Sequence, residues 1–390
     1  MNDERAILSI TFRDGTVIDT FSEWDLSLDM LDVGCPWTLT CWSSDVRQST
    51  WDVLFSKALC GERIRVEING AVQLIGSIRT RNEDIEREQA TLTLSGLDLA
   101  GPLIKADADP RISLQNTTLG EVIQRLVRPF GISVVFLNGS QDAEVRQNQD
   151  RLRTSRRTGD FTPRSRIESF RIRPGSKVWQ EIDSICRRSG YRVWIGPTPD
   201  TNEIGIIVDK PIESGEAKYS LIRRKQPDGT YRGNILGSSY RTDISDVPTE
   251  VTVFSHSATF GSEDARVCAH VTNEQLRKAR VVADMLPQPR YKRSQRARSQ
   301  ANAQREAERD LAQANANLSV YQASVRGVMQ NGIIYAFNSI YAINDERHKL
   351  YEKMQCTRVD FHQGRDNQGT KTKLRCVPLG SIKVFPDEEL

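Results

Sequence analysis

The chain has 390 residues, 38% of them hydrophobic and 27% charged, with 54 basic against 51 acidic side chains and a formal net charge of +3. That length allows two or three domains, each able to bury a core, and so slight a charge excess does not demand a nucleic-acid partner. No apolar run nears the roughly 20 residues that cross a bilayer, and the N-terminus MNDERAILSITFRDG lacks the pattern of a secretory signal.

Residues 1 to 104 read as the first of two small β-barrels. Asp14-Gly15 marks a turn, PWTLTCW and EQATLTLSGLD are extended, and Val53, Leu54 and Ala58 share the face of a short helix in STWDVLFSKAL. The clearest hairpin is GERIRVEINGAVQLIGSIRT, residues 61 to 80. A three-residue loop at Asn69, Gly70 and Ala71 sets Ile68 opposite Val72, Val66 opposite Leu74 and Ile64 opposite Gly76, one face apolar and the other charged. A two-residue loop mixes those faces, so the longer loop is expected.

The period then changes to that of helices. Leu119, Val122, Ile123 and Leu126 line one face, Thr118 and Glu121 match a capping box, and Gly131 ends the helix before a strand. The order repeats with the stripe Val178, Ile182 and Ile185, Ser176 as candidate N-cap and Gly190 as terminator, followed by YRVWI and EIGIIVD. These units predict an α/β insert over 105–217, interrupted by an Arg-rich loop at 138–166. Residues 218–390 read as the second β-barrel. Its signals are a turn at Pro227-Asp228-Gly229, alternation in PTEVTVFSHS, and a last hairpin turning at Asn367 to Gly369. An Ala/Gln/Arg-rich helix at 294–316 carries only a narrow apolar stripe around Ala301 and Leu311. The fold class is therefore mixed β, two barrels flanking an α/β insert.

Catalytic patterns are missing: the chain holds no H-E-x-x-H, G-x-S-x-G, Walker loop, G-x-G-x-x-G or EF-hand loop. His256, His270, His348 and His362 lack the spacing of a helical metal site, and the pair Asp107 and Asp109 before proline reads as a turn. No catalytic, cofactor or metal site is expected. Seven cysteines are scattered without a C-x-x-C and read as reduced, buried thiols, with oxidation left open for a protein that works outside the cell. Two basic stretches stand out. One holds Arg151, Arg153, Arg156, Arg157, Arg164 and Arg166, and the other is RYKRSQRARSQ from 290 to 300.

FRIRPGSKVWQEIDSICRRSGYRV is similar to the start of a LysM peptidoglycan-binding module, although the sequence after Gly190 reads as a hairpin where LysM places a second helix. A wider resemblance covers most of the chain. IRVEINGAVQLIGSIRT, LTLSGLDLAGPLI, TLGEVIQRLVRPFGISV, RIRPGSKVWQEIDSICRRSGYRVWIGPTPDTNEIGI, AERDLAQANANLSVYQASVRG and TRVDFHQGRDNQGTKTKLRCVPL, in that order, resemble the baseplate hub family of contractile-tail phages. The likeness is to the Mu-like tail hub and, more distantly, to the hub part of type VI secretion spike proteins. The insert near 138 to 166 and the stretch INDERHKLYEKMQ depart from it.

The resemblance implies a non-enzymatic homotrimer whose six barrels join a sixfold tail tube to a threefold central spike. Implied partners are the spike, a tube or tube-initiator protein, baseplate wedge proteins and the tape measure protein, with no sequence-specific nucleic acid; the place implied is the virion tail baseplate. On that reading Arg151, Arg153, Arg156 and Arg157 meet acidic patches on tube or wedge proteins. A peptidoglycan-binding tail or cell-wall-targeting protein is the alternative.

Overall fold

A computed structural model describes residues 6–87, 89–137, 166–198, 203–210, 212, 214–255, 268–278, 281–282, 285–294, 300–315, 318–365 and 369–382. Its fold is mixed β, dominated by one branched sheet of 14 strands drawn from both ends of the chain. The strand Leu350–Gln363 makes the junction. Its first half pairs with Ser339–Asp345, and its second half pairs with Glu23–Asp29, from Arg358 opposite Asp29 to Gln363 opposite Trp24. The two regions expected as separate barrels thus share one hydrogen-bonded sheet, and no sheet closes on itself among the described residues.

Alternation decides which face of this sheet is inside. Trp24, Leu26, Trp37, Leu39, Val359, Phe361 and Leu374 all point to a single core in which each is at most 1% exposed. Trp37 lies across two strand-interior glycines. A Cβ on Gly96 would stand 2.5 Å from the Trp37 ring and 2.1 Å from the Ser77 carbonyl oxygen, so only glycine lets the backbones approach this closely.

The 61–80 hairpin differs from expectation at its loop. Ile68 pairs with Ala71 around a two-residue turn at Asn69 (φ 50°) and Gly70 (φ 78°), the left-handed pair a tight hairpin needs. A bulge then shifts the register between Val66 and Glu67, restoring Val66 opposite Leu74 and Ile64 opposite Gly76. The apolar face is kept by the bulge instead of by a longer loop. Nor is the outer face wholly charged, since Val72 and Ile75 pack into the core of the α/β insert.

In that insert, the Thr118 hydroxyl accepts the Glu121 amide at 3.2 Å and the Glu121 carboxylate accepts the Thr118 amide at 3.0 Å, the expected capping box at the head of the helix Leu119–Val127. The predicted stripe is buried, and Gly131 turns the chain at φ 63° after a 3-10 turn. The second helix, Val178–Arg188, starts one residue later than read: the Lys177 amide bonds to Gln180 at 3.2 Å, while the Ser176 hydroxyl donates to the Arg173 carbonyl. The strands Arg192–Pro197 and Ile204–Asp209 form a hairpin, with Val134–Phe136 parallel to the second. Trp194 and Ile207 on it reach into the main core and seat the insert on the sheet.

The C-terminal half holds one more unit. Glu250–Ser255 pairs antiparallel with Cys268–Thr272 and parallel with Pro289–Ser294, and the helix Gln300–Asn315 packs on them through Ala303, Ala307 and Leu311. Ala301, placed on the buried stripe by the sequence pattern, is exposed. These residues have their own small core, separate from that of the main sheet.

Candidate assembly surfaces

The four arginines singled out from sequence, Arg151, Arg153, Arg156 and Arg157, lie outside the described residues. In the other basic stretch two described cations are paired within the chain. Arg290 meets Asp310 and Lys292 meets Glu306, each at 3.2 Å, so cations of the strand Pro289–Ser294 face carboxylates of the helix that packs on it.

Polar clusters that resemble chemistry resolve into fasteners. The Ser238 hydroxyl donates to Asp345 at 2.7 Å and receives Arg223 at 3.0 Å, and the Tyr321 hydroxyl donates to the same carboxylate at 2.8 Å. Burial opposes the charge on Asp345, but the bonds from Ser238 and Tyr321 outweigh it and hold the carboxyl below its ordinary value. The His348 ring faces the Ser238 carbonyl at 3.4 Å. His362 Nδ1 lies 2.6 Å from Asp25, and His270 lies 3.1 Å from the Thr252 hydroxyl. Asp107 pairs with Lys177 and Asp109 with Arg111. Among the described residues no three His, Cys, Asp or Glu side chains are grouped to hold a metal ion. No described helix is long and apolar enough to cross a membrane. Where LysM needs a second helix, the chain places the hairpin Arg192–Asp209.

What the sheet does present is a broad polar face. Eight strands follow one another across it: Ile235–Thr242, Ser319–Arg326, Lys371–Pro378, Leu350–Gln363, Glu23–Asp29, Pro36–Trp42, Ala90–Asp98 and Ala71–Ile85. Residues opposite to the core-facing ones form cross-strand rows. Arg326, Lys371, His362, Asp25, Thr38, Ser95 and Thr80 make one, and Ser324, Lys373, Asp360 and Ser27 make another. A run of polar residues on one side of a sheet, with the core on the other, is a wall that faces water. Beside Arg358, Asp360, Lys373 and Arg375 lies a cleft of about 1180 Å³, bounded opposite by Asp243 and Asp246.

Among the described residues, each end of this eight-stranded wall keeps an unpaired stretch of edge. Among the described strands, Ile235–Thr242 pairs with Ser319–Arg326 alone. At the far end, Arg63–Ile68 pairs with Ala71–Ile85 no further than Ser77, which leaves Thr80–Ile85 paired on one side only. Ile85 there is 70% exposed. The Ile235 and Ser238 carbonyls already face Arg223 and His348, and the remaining backbone donors and acceptors of such edges are ones another strand can pair with.

This fold is shared with solved structures of individual phage tail proteins. A tail protein from Neisseria meningitidis superposes with a TM-score of 0.72 at 18% identity, over 98% of this chain and 100% of that one. The 43 kDa tail protein of prophage MuSo2 from Shewanella oneidensis does so at 0.72 and 14% identity, over 97% and 99%. An E. coli component of the type VI secretion system, described as similar to the T4 bacteriophage tail proteins gp27 and gp5, matches at 0.54 and 8% identity, over 97% and 79%. The expected likeness to Mu-like tail proteins and type VI spike components is thus met, and at these identities it is the fold that is shared. No family model and no curated protein matches the chain.

Proposed function

We propose that the chain is a structural baseplate hub of a contractile phage tail or related injection system, without catalysis. Three copies form a ring between a sixfold tail tube and a threefold central spike. The observation that carries this reading is the eight-stranded wall, whose described residues leave unpaired edge at Ile235–Thr242 on one end and at Thr80–Ile85 on the other. Two different edges on one subunit favour a head-to-tail contact, which closes into a ring when the rotation between copies divides the circle. Four of the eight strands come from residues 23–98 and four from 235–378. Each half is one quasi-equivalent segment, the counterpart of a tube-like barrel, so three chains supply six segments to a sixfold neighbour. The polar face then lines the passage, and the charged rows meet whatever fills it, the tape measure protein included.

Light scattering on the purified chain, alone and with the spike protein encoded nearby, tests the reading. A trimer of 44.1-kDa chains, about 132 kDa, is expected; a monomer that stays monomeric with the spike overturns it. The Arg-rich loop is assigned to tube or wedge contacts. Replacing Arg151, Arg153, Arg156 and Arg157 by serine is expected to lower the yield of assembled particles without changing the ring, and normal yield removes that assignment.

A further inference from the structure

Two of the cysteines face each other at the junction of the sheet. Cys356 stands directly opposite Cys376 on antiparallel strands, and both are fully buried and unbridged. The Cys356 carbonyl accepts the Asn338 amide at 2.8 Å, so its backbone groups point toward Ser339–Asp345 and away from Cys376. Pro378, opposite Met354 two residues along, has no N–H to give. Both facts make Cys356 and Cys376 a non-hydrogen-bonded pair, the closer kind, with Cα atoms about 4.5 Å apart. Disulfides span Cα separations of about 4.4 to 6.8 Å. The two thiols already interact, and that contact together with burial pushes the Cys376 thiol well above its ordinary value.

We propose that Cys356 and Cys376 are a cross-strand disulfide site, closed by a small-molecule disulfide while the chain folds. One thiolate attacks the small disulfide and displaces a thiol, giving a mixed disulfide; the second thiolate attacks the protein sulfur of that bond and displaces the other thiol. In balance, two protein thiols and one small disulfide become one protein disulfide and two small thiols. Once the core has formed both thiols are fully buried and out of reach of a small disulfide, so closure belongs to the folding chain, and a chain folded reduced keeps its thiols. The bridge falls where Leu350–Gln363 changes neighbours, beside the register shift between Cys356 and Arg358, and staples the hairpin that joins both halves of the sheet. The inference does not depend on the assembly reading.

The test is to unfold the reduced chain and refold it in oxidised and reduced glutathione. Expected are a mass loss of about 2 Da, a non-reduced peptide linking Cys356 to Cys376, and a thermal midpoint a few degrees higher. The native reduced chain, given the same buffer without unfolding, is expected to keep both thiols. Cys376→Ser is expected to abolish the linked peptide and the thermal gain; should that variant not fold, the peptide map of the wild-type chain decides alone. Finding Cys356 and Cys376 both alkylatable after refolding, or linked to other cysteines, overturns the proposal.

Discussion

Asp98 ends the strand Ala90–Asp98 with its carboxylate buried and accepting the Ala100 amide at 2.9 Å. Burial pushes its pKa up from 3.8 to about 6. A carboxyl that holds its proton more tightly in the folded chain adds stability below its unfolded pKa, and that stability is lost as pH rises through the folded value. Stability from this group therefore falls between about pH 4 and pH 6, by at most about 3 kcal/mol. Asp98→Asn keeps an acceptor and removes the charge, so thermal melts across that window are expected to flatten; an unchanged slope assigns the dependence elsewhere. Asp29, also raised by burial, contributes in the same direction. Gly96 is tested by bulk instead of charge. With a Cβ aimed at the Trp37 ring and the Ser77 carbonyl, Gly96→Ala is expected to cost roughly 3 kcal/mol or more, read from denaturant midpoints.

Among the elements, the helix Leu119–Val127 depends most visibly on one side chain. Thr118→Ala deletes the acceptor for the Glu121 amide while Glu121 keeps its bond from the Thr117 hydroxyl at 2.7 Å. A loss of about 1 kcal/mol is expected, and urea unfolding checks it; no loss means water replaces the cap. This cap was legible because every atom of it lies within four residues. The hairpin loop was less so. Alternation correctly demanded that Val66 face Leu74, but either a longer loop or a bulge one residue past a tight turn satisfies it, and only the backbone tells them apart. Ser176 misled for a related reason: its hydroxyl closes the preceding turn at the Arg173 carbonyl instead of capping the helix. Alternation marks strands and not their neighbours, so the pairing of Trp24 with Gln363 and the parallel pairing of Glu250–Ser255 left no local trace. The assembly face shares that limit. Its residues look like ordinary solvated alternates until the strand order lines them up.

For the molecule as a whole, the ring reading stands on the two unpaired edges, and the edge at Thr80–Ile85 can be probed without touching the core. Successive residues of a strand send their backbone N–H groups to opposite sides, so of Asn82 and Glu83 one faces the neighbour Ala90–Asp98 and the other faces the open edge. Proline at the inward-facing position removes a bond within the subunit, and a lower melting temperature is expected. Proline at the outward-facing position removes a donor that no described strand engages; the monomer is expected to melt unchanged while the proposed 132-kDa species disappears from light scattering. Charge offers an independent handle on the same contact. Asp84 and the opposite edge's Arg241 both lie on the polar face, so in a head-to-tail ring Asp84 competes with Asp243 for Arg241. Asp84→Arg is therefore expected to weaken the trimer, and Arg241→Asp added to it to restore part of the loss, whereas surface charges outside a contact show no such coupling. If both prolines leave the oligomer intact and the charge exchange shows no coupling, the copies meet through another surface, and the polar wall does not close edge to edge.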